Sequence, residues 1–355
     1  MYFDNMTRQS RNRSHHLLSY LFHHVLWNIP TLIRVFTIIL FLSGCCPHVL
    51  PEADSPLIRK QSTFSVIDSS SDGSTLDILT FEDDRLQRLD SYQRIDGFIG
   101  NTAYAESTGG SKIFFFCTSH GRSIYQWSEI NSYSSLKKLR FDLEDERREA
   151  PTRTGECRME AGGEKGEVVL KPLVSEVCIE RISCDFSGTP YSEAVMTDVC
   201  AYLTNVNGTY GLTDHNYKGP ERIINQGRLN KNDLAGFKET DIIFSSISKS
   251  LTSITLYPQI SFLCYPNPGD GSSIGNPCTR LVIEGKIDGQ TYYWPININH
   301  DSEDCGVKRN CRYVYDLLIR RKGTSDPDIA INLDKCDIKF ELKPWEEKKE
   351  YGIRF

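Results

Sequence analysis

The 355-residue chain carries 41 Lys plus Arg against 47 Asp plus Glu, with 39% hydrophobic residues and 25% charge, values of a folded rather than a disordered protein. At this length two domains are expected, each large enough to bury a core without a disulfide scaffold. The net charge is −6, and because residues 1–44 are locally +3 (Arg8, Arg11, Arg13 and Arg34 against Asp4), −9 is left for the remainder. An acidic body argues against nucleic acid as a partner, since phosphate neutralisation supplies most of that affinity.

The first element is the apolar run from Val35 to Leu42, too short for a bilayer span of about 20 residues but the right length for the core of a signal peptide. It follows Arg34 and ends in Leu42-Ser43-Gly44-Cys45, which resembles a bacterial lipobox. That likeness implies cleavage before Cys45 and lipidation of its thiol, with 1–44 as the lipoprotein signal peptide and 45–60 as a lipidated linker. Membrane lipid is then a partner through Cys45. Removing the signal leaves only His48, His120, His215 and His300, so metal and acid–base chemistry lack their commonest side chain, and neither a metal nor a cofactor is expected.

Beyond the linker the pattern is strands. Phe64 and Val66 mark a short one from Thr63 to Ile67, followed by Leu76 to Phe81, Ile113 to Cys117, Val168 to Leu170, Val177 to Phe186 and Val199 to Val206. Ser134 to Phe141 and Asp142 to Arg148 hold one or two helical turns. Asn207-Gly208 and the polar stretch to Arg228, with Pro220 inside it, mark the domain boundary, giving an N-terminal domain at 61–208 and a C-terminal domain at 209–355. Asn232 caps a short helix carrying Leu234 and Phe237.

After residue 250 the two-residue period is clean. Ile254, Leu256, Ile260, Phe262 and Cys264 share one face, interrupted by Pro258. Leu281, Ile283 and Ile287 lead into Asp288-Gly289 and then Tyr292, Trp294, Ile296 and Ile298, a hairpin with a type I′ turn. Tyr313 to Ile319, Cys336 to Leu342, and finally Tyr351, Ile353 and Phe355 complete six strands in about a hundred residues, which read as an antiparallel sandwich.

Motifs with chemical meaning are few. Gly271-Ser272-Ser273-Ile274-Gly275 matches the G-x-S-x-G pattern of serine hydrolases, but Pro266, Pro268 and Pro277 flank it where a helix must start, so a hairpin loop is the better reading and Ser273 a remote candidate nucleophile. Asp68 to Gly73 resembles the start of a calcium loop, yet Leu79 stands where a bidentate Glu is required, and a turn is expected. Tyr292, Tyr293 and Trp294 form either a sugar-stacking platform or, the better reading, core and cross-strand packing. Cys264 with Cys278, and Cys305 with Cys311, bracket turns and stand open between disulfides and free thiols.

The stretch from Pro277 to Ile296, Arg309-Asn310 followed by Tyr313 to Asp316, the turn from Arg321 to Asp328, and the end from Pro344 to Phe355 resemble the fimbrillin A family of type V pilus subunits. Leu76 to Phe81, Lys171 to Val174 and Tyr202 to Val206 are similar to it as well. The resemblance implies two transthyretin-like antiparallel β-sandwich domains with a few short helices, and a cell-surface lipoprotein of the outer membrane that is not an enzyme. It further implies assembly with other fimbrial subunits by β-strand donation, after a protease cuts behind Arg or Lys. Arg59 and Lys60 are the expected processing residues, and Tyr351, Ile353 and Phe355 the expected donor positions, unless that strand simply completes its own sandwich. No basic residue lies between Lys60 and Arg85, so a cut at Arg59 leaves Phe64 and Val66 in place, which favours an anchor, accessory or tip subunit over a shaft subunit. The alternative is a stand-alone surface lipoprotein binding a glycan or host ligand.

Overall fold

The computed structural model describes residues 59–67, 75–119, 124–213, 219–269, 277–299, 306–329 and 331, and the backbone of 348–354. Cys45, the signal segment, Asp68 to Gly73, Ser273, His300, Cys305, the strand expected from Cys336 to Leu342, and Phe355 lie outside these residues.

The first half runs β1 (Lys60–Ile67), β2 (Thr75–Glu82), β3 (Leu89–Ile95), β4 (Thr102–Ser107), β5 (Lys112–Ser119), helix α1 (Tyr133–Lys138), β6 (Arg140–Asp142), β7 (Arg153–Met159), β8 (Lys165–Val169) and β9 (Lys171–Pro172). A three-stranded sheet in the order β4-β1-β8 faces a five-stranded one in the order β3-β2-β5-β7-β9. Between them lies a core of Phe64, Val66, Leu76, Ile78, Phe114 and Phe116. The other face of β2 and β5 presents Leu79, Phe81, Ile113 and Phe115, which belong to a second core together with Trp127, Tyr133, Leu136 and Phe141. Burial on both faces explains why β5 reads as an unbroken apolar run from Ile113 to Cys117, and why β2 carries large apolar residues on both faces beside the buried Asp77 and Thr80.

The second half adds β10 (Ser175–Cys184), β11 (Thr197–Thr204), β12 (Val206–Asn207), β13 (Thr209–Gly211), β14 (Ile223–Ile224), α2 (Lys231–Leu234), β15 (Phe244–Ile247), β16 (Ile260–Cys264), β17 (Arg280–Ile287), β18 (Gln290–Asn297), β19 (Arg312–Ile319) and β20 (Lys348–Arg354). Sheets in the orders β16-β10-β19-β20 and β15-β11-β17-β18 enclose Val177, Ile179, Leu203, Phe262, Ile283, Trp294, Tyr313 and Tyr315. The protein is therefore all-β with two short α-helices among the described residues, as the alternation predicts. Most pairs are antiparallel, but β1–β8, β10–β19 and β19–β20 are parallel. The hairpin at Asp288-Gly289 forms as expected, with φ of 52° and 78° at its two central residues.

Three expectations need correction. The boundary after Gly208 is crossed by strand pairing: β10 and β11 precede it, yet pair with β16, β19, β15 and β17 that follow it. Sheet membership changes instead between Pro172 and Ser175, and residues from Ile58 onward form one compact unit. A polar loop announces a turn and carries no record of which sheet its flanking strands join. The strand expected from Ile254 begins only at Ile260, because Pro258 lacks an N–H and Gln259 takes a φ of 54°; Ile254 itself is 71% exposed. The cap of α2 is Asn230, whose side chain accepts from the Asn232 N–H at 3.0 Å, so the helix starts two residues early.

The two sandwiches are tied by Arg309, which lies just before β19. Its guanidinium donates to the carbonyls of Pro172 at 2.9 Å and Lys171 at 2.8 Å and to the Thr154 hydroxyl at 2.8 Å.

Candidate assembly site

β1 begins with polar residues and becomes rich in β-branched and aromatic ones, Thr63, Phe64, Val66 and Ile67, the composition that suits a pleated surface. Ser62, Phe64 and Val66 point into the core while Gln61, Ser65 and Ile67 face outward. The strand is central to its sheet. Its odd residues bond to β8, with Thr63 N–H donating to Glu164 O at 2.8 Å and Leu170 N–H donating to Ile67 O at 2.9 Å. Its even residues face β4, where Val66 N–H donates to Asn101 O at 2.8 Å.

Phe64 is fully buried, its ring 4.6 Å from that of Phe114 and 5.0 Å from that of Phe116. Its space exists because β8 carries Gly166 directly alongside; a Cβ there would stand 2.7 Å from the Phe64 ring. On the other flank, β4 turns Ala103, Ala105 and Ser107 inward, all of them small. Small residues on both neighbours and aromatic rings beneath make a slot shaped for one strand with a large side chain at its centre. Without β1 that slot would be an apolar cleft between two unpaired strand edges, a form that readily accepts another extended chain.

The sequence-predicted residues fall around this slot as follows. Arg59 and Lys60 are exposed at the start of β1, with Lys60 already in register with Ser107. Both precede Phe64 and Val66, so a cut at either leaves the slot filled. Tyr351 and Ile353 lie on β20, an outer strand of its sheet among the described residues, in register with the buried Tyr315 and Leu317 of β19. Gly166, Ala103 and Ala105 were not singled out from the sequence; the only available signal is a small residue at every second position, weak without a known partner strand.

The remaining candidates behave as structural residues. Trp294 is fully buried and its indole N–H donates to Arg321 O at 3.1 Å, while the ring of the partly buried Tyr292 lies 6.5 Å from it, so these two aromatics pack with the core rather than form an open platform. The eight described cysteines form no disulfide with one another, Cys264 with Cys278 included, while Cys305, the expected partner of Cys311, lies outside the described residues. Burial, then the charge of Glu284, pushes the Cys200 thiol up to about 12, and burial with Glu176 pushes Cys178 up to about 11. Neither is a ready nucleophile at neutral pH.

The arrangement of two β-sandwiches, the first with its leading strand held centrally, is a fold found in solved bacterial proteins. The fold is similar to that of a protein provisionally assigned to cell adhesion from Bacteroides eggerthii DSM 20697, with a TM-score of 0.60 and 13% identity over 84% of this chain and 98% of that one. It is also similar to a fimbrilin from Porphyromonas gingivalis W83, with a TM-score of 0.55 and 12% identity over 83% and 96% of the two chains. A second protein provisionally assigned to cell adhesion, from Parabacteroides distasonis ATCC 8503, gives a TM-score of 0.56 and 12% identity over 77% and 96%. No family model matches the chain, and no curated protein matches it in sequence.

Proposed function

We propose that the protein is a structural, non-enzymatic fimbrial subunit, exported as an outer-membrane lipoprotein through Cys45 and joined to its neighbours by β-strand donation. The observation that carries this reading is the slot around β1, in which one strand supplies both ladders and the central aromatic of a core. The fold shared with a fimbrilin supports it. The donor positions are Tyr351, Ile353 and Phe355, the first two on β20, an outer strand among the described residues. Arg59 and Lys60 are the processing residues. Because cleavage there keeps Phe64 in its slot, the chain serves as an anchor, accessory or tip subunit rather than as a shaft subunit. The burial of Trp294 weighs against the alternative of a stand-alone glycan-binding lipoprotein.

Deleting residues 349–355 tests the assembly. The truncated protein is expected to fold, reach the surface and drop out of the heat-resistant ladder of oligomers on gels. A truncated protein that still enters fibres normally eliminates the donor role, and palmitate labelling that persists in Cys45→Ala eliminates the lipid anchor. Esterase activity lost on Ser273→Ala would replace the whole reading with a hydrolase.

A further inference from the structure

At one end of the five-stranded sheet, β2, β3 and β5 bring together three side chains that the assembly site does not use. Lys112 opens β5, and its side chain is 2% exposed, an unusual place for a lysine. Its register partner on β2 is Glu82, whose Oε2 lies 2.6 Å from Lys112 Nζ. Asp90 on β3 is 5% exposed, with Oδ2 at 3.6 Å from the same Nζ. Asp90 is the extra residue of a β-bulge, since Ser91 pairs with Thr80 and Leu89 with Phe81. A bulge re-aims a side chain, and here it turns the Asp90 carboxyl across β2 toward β5.

Thr108, in the loop after β4, completes the arrangement. Its backbone N–H donates to Asp90 Oδ2 at 2.8 Å and its hydroxyl to Asp90 Oδ1 at 2.8 Å, while that hydroxyl accepts from Lys112 Nζ at 2.9 Å. The cluster thus contains an amine, a carboxyl whose two oxygens each receive a hydrogen bond, and a second carboxylate touching the amine. These are the parts of an acyl transfer: nucleophile, electrophile with oxyanion donors, and proton carrier.

We propose that Lys112 and Asp90 form an intramolecular amide, with Glu82 as the proton carrier. Glu82 takes one proton from the Lys112 ammonium, and the freed amine attacks Asp90 Cγ. The C–N bond forms while the Thr108 N–H and O–H hold the charge gathering on the carboxyl oxygens. One further amine proton and the proton held by Glu82 pass to a single Asp90 oxygen, and the C–O bond breaks with loss of water. The ammonium and carboxylate become a neutral amide plus one water, Glu82 ends ionised as it began, and no oxidant or cofactor is required. Glu82, 32% exposed at its side chain, gives the proton and the water a route to solvent. The bond would staple β3 to β5 across β2, in the sheet that underlies the β1 slot. It is independent of whether the protein is a fimbrial subunit.

Digestion of the purified mature protein with trypsin under denaturing conditions, read by tandem mass spectrometry, tests this. With the amide present, trypsin cannot cut after Lys112, and Leu89–Arg94 appears joined through Asp90 to the peptide running from Ile95 to Arg122, lighter than the two together by one water. Glu82→Gln and Lys112→Arg are expected to yield Leu89–Arg94 as a free peptide, and the Lys112→Arg protein to melt at lower temperature. Complete cleavage after Lys112 in the unaltered protein, with Leu89–Arg94 recovered free, overturns the proposal and leaves an ion-pair cluster. A water loss that survives Lys112→Arg overturns it equally, since its source then lies elsewhere.

Discussion

Phe64→Ala is the sharpest probe of the β1 slot. The ring is fully buried and makes two aromatic pairs, each contributing about 0.5–1.5 kcal/mol beyond the area it buries. Truncating a buried Phe to Ala costs about 3–5 kcal/mol, the larger values arising where the surroundings cannot collapse into the cavity. Here the facing residue is Gly166, which has no side chain to move in, and the flanking inward residues are Ala103 and Ala105. We therefore expect a loss of about 4 kcal/mol, a large part of the roughly 5–15 kcal/mol that stabilises a folded protein. Urea unfolding of the purified protein followed by far-UV circular dichroism reads this as a lower midpoint. Ser65→Ala, exposed on the same strand, should stay within about 0.5 kcal/mol. Gly166→Ala supplies a coupling test: alone it presses a Cβ into the ring at 2.7 Å, whereas added to Phe64→Ala it should cost much less. A Phe64→Ala loss under about 1 kcal/mol, or strict additivity with Gly166→Ala, would refute the slot as described.

Asp77→Asn is expected to cost about 3 kcal/mol, since Asp77 is fully buried against Arg94 at 3.0 Å and its loss leaves that guanidinium the more distant, exposed Asp96 at 3.9 Å; a melting temperature unchanged from the parent would contradict this. Tyr92, whose hydroxyl donates to Asp77 at 2.8 Å, has its pKa pushed upward by burial and then by that carboxylate, so alkaline difference spectra should show it ionising earlier in the Asp77→Asn protein. Raised thiol pKa values mean less thiolate at any given pH, so at pH 8 Cys178 and Cys200 should alkylate far more slowly in the native protein than after denaturation. Equal rates in the two states would show that burial does not control them. Gly306→Ala combines a φ of 112° with a Cβ 2.3 Å from Asn267 O, and should destabilise by about 1–3 kcal/mol, measured as a shift of the thermal transition.

The local code is plain in parts of this chain. Alternation from Arg280 to Asn297 with Asp288-Gly289 between the runs specifies a hairpin by itself, because side chains on a strand alternate faces and that dipeptide tolerates positive φ. The strand around Phe64 and Val66 and the final strand through Tyr351 and Ile353 are legible from the same alternation. β3 and β4 are not, because β3 is half-exposed and largely polar and β4 buries alanines while leaving Tyr104 outward, which inverts the usual signal. Pairing is a different matter from strand formation. Nothing near Ser175 or Thr197 says that those strands join partners as far along the chain as Arg312 and Lys286, nor that β1 pairs parallel with β8. The slot for Phe64 is likewise made by Gly166 and Ala103 on separate strands, and the Lys112, Glu82 and Asp90 cluster by three more. Periodicity is a property of one segment, so the sequence determined which segments become strands. Neighbourhood is a property of several segments folded together, so only the tertiary structure decided which edges meet and what lies between them.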